Sequence, residues 1–171
     1  MNATKRLTLC AMLVSAALVL SYLERFIPLH LAVPLPGVKL GLANIVSLIA
    51  LYLLGFKQAY VILALRCALG SVFAGSVTGL AFSITGGTLS MLAMAGAKKL
   101  PFLSVYGVSV LGAAAHNVGQ ILAAMALMQS VSIGAYLPYL LIVALATGFA
   151  TGAACAGVLR SIARVPGKIL F

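Results

Sequence analysis

Polar side chains are scarce in this chain, so the few that interrupt its apolar stretches carry most of the chemical information. Arg66 is the plainest case. It lies some eight residues into an apolar run, roughly 12 Å deep in a helix that rises about 1.5 Å per residue. An arginine at the centre of a span opposes insertion into lipid by about 2.5–3.5 kcal/mol, while each Leu, Ile, Val or Phe favours it by about 0.3–0.6. Val61, Ile62, Leu63, Leu65, Leu69, Val72 and Phe73 bring that balance close to zero. Arg66 must therefore face other helices or a wet cavity. Its partner is open at this level: Glu24, the only acid in the chain, backbone carbonyls, or an anionic ligand.

His116, Asn117 and Gln120 form a second group. Their spacing puts them on one side of a helix, with Gly112 and Ala113 leaving room beside them. That pattern predicts a hydrogen-bonding pocket wall, against the alternative of a satisfied polar core. Asn44 and Ser47 add polar groups to another segment, and Lys39 lies just before it. The expected ligand-binding set is Lys39, Asn44, Arg66, His116, Asn117 and Gln120. Lys39 and Arg66 would draw negative charge, and the amides and imidazole would give directed hydrogen bonds.

This is the chemistry of binding rather than turnover. A single acid excludes paired-carboxylate catalysis and the carboxylate cluster that holds Mg²⁺ in group transfer. There is no phosphate-cradling loop of the P-loop type, so any ATP hydrolysis must come from another chain. Cys10, Cys67 and Cys155 are far apart and show no metal or redox spacing. No catalytic residue, no metal and no cofactor is expected.

The elements that must position these residues follow from composition. Hydrophobic residues make up 64% of the 171 and charged residues 7%, where a soluble domain carries about 25%. Lipid must be the solvent for much of the exterior. Backbone groups in lipid are satisfied only in helices or closed barrels, and continuous runs rich in Leu and Ala select helices. Six segments emerge at about 7–26, 40–56, 58–76, 79–97, 102–128 and 135–159. They predict one all-α integral membrane domain, 1–171, with six transmembrane helices in one bundle. The first segment, after Lys5 and Arg6, reads as a span rather than a cleaved signal.

Eleven basic residues face one acid. They sit singly or in pairs at segment ends, which encodes topology and gives no track for nucleic acid. With both termini cytoplasmic, Lys5, Arg6, Lys57, Lys98, Lys99, Arg160, Arg164 and Lys168 lie inside, and Arg25 and Lys39 outside. The proline-broken stretch from Arg25 to Lys39 is expected over the outer mouth as a lid or a re-entrant plug. Small residues permit close helix approach: Gly148 and Gly152 in the last span, Ala11 and Ser15 in the first. The second pair serves either bundle packing or docking of a partner subunit.

The run from Lys5 to Leu20 resembles the first span of substrate-binding (S) components of energy-coupling factor (ECF) transporters. The blocks Pro36–Ile45, Ser83–Gly87 and His116–Gln120 more specifically resemble the Gx transporter family, also described as heptaprenyl diphosphate synthase component I. The resemblance covers nearly the whole chain. It implies a six-helix subunit of the bacterial cytoplasmic membrane that takes up a small vitamin- or cofactor-like ligand, with a coupling subunit and ATPases as partners. It also implies that the small face of the first span, here Ala11 and Ser15, docks the coupling subunit. The alternative is a non-catalytic membrane subunit of polyprenyl diphosphate or quinone synthesis, since the Asp-rich motifs of prenyl synthases are absent from a chain without Asp.

Overall fold

The computed structural model describes residues 2–26 and 41–164. Lys39, the expected lid from residue 27 onward and the first half of the Pro36–Ile45 block lie outside the described residues. Those described form helices and short 3-10 turns, with no strand. The helices are α1 (Ala3–Leu23), α2 (Asn44–Leu53), α3 (Phe56–Ala74), α4 (Val77–Ala97), α5 (Val105–Met128) and α6 (Leu137–Ala163). A 3-10 turn, Glu24–Phe26, follows α1, and another, Val131–Tyr136, leads into α6.

Boundaries have local causes. Ser76 and Ser104 cap α4 and α5 by accepting hydrogen bonds from the backbone N–H groups of Gly79 (3.0 Å) and Gly107 (3.4 Å). Gly75, in the left-handed conformation, stops α3, and a proline in the first turn of α6 suits its free amide positions.

Five segments are long and apolar enough to cross a membrane: α1, α3, α4, α5, and α6 together with the turn before it. This is a multi-pass membrane protein. The exception is α2. Its ten residues cover about 15 Å, half of a hydrocarbon core of about 30 Å. Between Gly41 and Gly55 the apolar stretch 40–56 is thus α-helical only over Asn44–Leu53. Gly41 at φ +82° and Gly55 at φ +85° interrupt it at both ends, and hydropathy does not register a backbone reversal.

Short as it is, α2 is the axis of the bundle. Val46 through Leu51 are all buried, and α1, α3, α4, α5 and α6 all touch it. The other side of the molecule is a tight stack of α4, α5 and α6. A Cβ on Gly119 would stand 2.7 Å from the Cα of Gly86, and one on Gly148 would stand 2.6 Å from the Cα of Val110. Backbones at these crossings are as close as glycine allows, which is how helices associate where water does not drive them together. The Gly148–Gly152 pair is therefore spent inside the bundle, against α5. By contrast α1 is peripheral, with only Val14 and Ala17 buried. Ala11 and Ser15 are exposed on it.

Candidate binding site

The site grows from the amino-terminal end of α2, where elements far apart in sequence meet. Glu24, in the turn after α1, is buried and accepts a hydrogen bond from the backbone N–H of Gly41. Asn44 opens α2 three residues later, and its Oδ1 accepts from Nη2 of Arg66 on α3 at 3.1 Å. His116 on α5 closes the other side: a Cβ on Gly41 would come within 3.1 Å of its Cδ2. Gly86 on α4 touches the same imidazole, where an added Cβ would lie 3.0 Å from Nδ1. The Ser83–Gly87 and His116–Gln120 blocks therefore meet face to face.

The electrostatics are uneven. A helix amino terminus carries roughly half a positive charge, and Glu24 complements it. Arg66 has the wrong sign for that position. It is 7% exposed, and its one hydrogen bond among the described residues is the one to Asn44; its buried Nε has no partner there. A buried donor without an acceptor costs about 1–3 kcal/mol, so natural structures rarely keep one without a use.

Beside Arg66 lies a cavity of about 420 Å³ between α1 and α3. Arg66 and Ser83 give it a polar end, while Leu18, Tyr22, Gly70 and Phe73 make an apolar wall. Leu18 also lines a second, longer groove of about 1270 Å³ that follows α1 and α3 toward Lys57 and passes Ala11 and Ser15.

Of the expected ligand set, Asn44, Arg66 and His116 come together. Asn117 does not join them: its Nδ2 donates to the carbonyl of Leu140 at 2.7 Å, tying α5 to α6. Gln120 is fully buried in α5, and neither it nor His116 is among the described residues of the cavity wall. The wall residues Tyr22, Gly70 and Phe73 carry no signal in the sequence, since apolar and small residues on spans are ordinary. Glu24 did carry one, as the only acid. Among the described residues no three His, Cys, Asp or Glu side chains cluster as a metal site would need.

The model of one protein family, described as heptaprenyl diphosphate synthase component I, matches residues 13–158. No curated protein and no solved structure matches the chain.

Proposed function

Since the chain belongs to the heptaprenyl diphosphate synthase component I family, we propose that it is a non-catalytic binding subunit that holds a small anionic ligand within the membrane, as an S component of an ECF-type transporter does. The observation that supports this best is Arg66: a buried guanidinium at the positive end of a half-length helix, beside a cavity of about 420 Å³. In the proposed orientation both termini are cytoplasmic, and the site opens toward the outer side of a bacterial cytoplasmic membrane. Interrupted helices whose ends face a charged ligand are a recurrent device of membrane transport. Asn44 orients the guanidinium, and Ser83 adds a hydroxyl to the polar end of the cavity.

A coupling subunit and cytoplasmic ATPases would supply the energy, docking on the exposed Ala11 and Ser15 of α1. The test is mass spectrometry of small molecules that copurify with the chain, together with uptake by cells expressing those partners. Saturable uptake that Arg66→Gln removes is expected. An empty protein without uptake counts against the reading.

The family description favours a second reading, an accessory subunit of polyprenyl diphosphate synthesis. The chain holds one acid, Glu24, and no Asp, so the Mg²⁺-dependent step would belong to a partner. This reading expects copurification of an Asp-rich soluble synthase, and a changed product chain length when the subunit is removed.

A further inference from the structure

We infer that the occupant of the Arg66 cavity is an anionic amphiphile, one acidic head on an apolar tail, which enters from the lipid side between α1 and α3. The inference rests on the binding reading above and adds the ligand's class and its route.

The head is assigned by Arg66. It is more than nine-tenths buried, lines the cavity, and keeps an Nε without an acceptor among the described residues. The amino terminus of α2 adds positive potential of its own. Glu24 answers part of it, its carboxylate accepting from the backbone N–H of Gly41. An acidic group in the cavity would meet the remaining charge.

The tail is assigned by the walls. Leu18, Val19, Tyr22 and Phe73 present apolar surface that a small hydrophilic anion would leave unused. At about 420 Å³ the cavity is near the lower end of the range of about 300–1,000 Å³ for small-molecule sites. The space does not end there. Leu18 also lines the longer groove, which continues past Leu69, Leu65 and Ala11. An apolar chain leaving the head site finds a track of matching character along α1 and α3.

The route is assigned by the rim. Val19, Tyr22 and Phe73 are 58%, 58% and 74% exposed, on two helices long and apolar enough to cross a membrane. Between them Gly70 offers no side chain. A Cβ there would sit 3.8 Å from Cδ2 of Leu18, so alanine fits and leucine would close the gap.

The test uses the full chain in phosphatidylcholine nanodiscs, whose headgroups carry no net charge. Retention of radiolabelled dodecyl phosphate is measured against that of inorganic phosphate. Dodecyl phosphate is expected to bind saturably and at least about tenfold more tightly, a difference of about 1.4 kcal/mol. Arg66→Gln and Gly70→Leu should each weaken it by about tenfold, while Arg66→Lys and Gly70→Ala keep most of it. The two conservative variants guard against a folding defect. Equal retention of inorganic phosphate, with Gly70→Leu silent, overturns the amphiphile and its route while leaving an anion-binding subunit in place. Retention indifferent to Arg66→Gln, or matched by dodecyltrimethylammonium, is mere partitioning and overturns the assignment of the head. If neither probe is retained, the inference falls, and ligand copurification separately decides the binding reading.

Discussion

The two ends of α2 solve the same electrostatic problem differently. At the carboxyl end, Lys98 reaches across from α4 and donates to the carbonyl of Leu51 at 2.9 Å, its ammonium 4.7 Å from the centre of the Tyr52 ring. A cation there satisfies an otherwise free carbonyl, complements the negative end of the helix and rests on an aromatic face. The amino end receives an acid, Glu24, as it should, and then a cation, Arg66, as it should not. One end is finished by the protein alone. Among the described residues the other keeps a buried cation beside the positive end of the helix, and it is there that the proposed ligand would sit.

Four substitutions would break or sharpen this contrast. The largest effect is expected from Gly41→Val. The residue is left-handed at φ +82°, and an added Cβ would lie 2.9 Å from Nδ2 of Asn44, so the start of α2 must distort. A loss of about 3 kcal/mol is expected, read as a lower thermal midpoint in detergent. Next comes Lys98→Met, which uncovers the Leu51 carbonyl and removes the complementary charge. Because Lys98 is largely exposed, about 1 kcal/mol of destabilisation is expected by the same measurement.

Arg66→Gln should go the other way. The shorter glutamine gives up the Nη2 bond to Asn44, but the opposed buried charge disappears, so the ligand-free protein should gain roughly 0.5–1 kcal/mol. A loss as large as that of Lys98→Met would show that the two ends are equivalent after all. The smallest effect is expected from Glu24→Gln. It keeps an acceptor for the Gly41 amide while deleting the negative charge that competes with an anion. Dodecyl phosphate should bind about threefold more tightly, roughly 0.65 kcal/mol.

How far the sequence could be read depended on what each feature rests on. Arg66 was legible as a buried cation because insertion energetics are additive along a span. That Asn44 takes its hydrogen bond was not, since the two are 22 residues apart and the pairing depends on how α2 and α3 pack. The shortness of α2 was hidden because hydropathy continues through Gly41 and Gly55 while the backbone does not. His116 and Asn117 looked like one polar face. In the bundle α4 takes one side of that face and α6 the other, so one residue turns to the site and its neighbour to the Leu140 carbonyl. The cavity was invisible from sequence because it is a volume that no described side chain fills.

The backbone contact between Gly86 and Gly119 has a mechanical consequence. It makes α4 and α5 a keel with no slack, while α1 hangs on two buried side chains like a shutter on its hinge. Any swelling or narrowing of the chamber must then run sideways, in the plane of the membrane. Stiffening the surrounding lipid should therefore slow exchange of the proposed ligand more than adding rigidity anywhere in the keel.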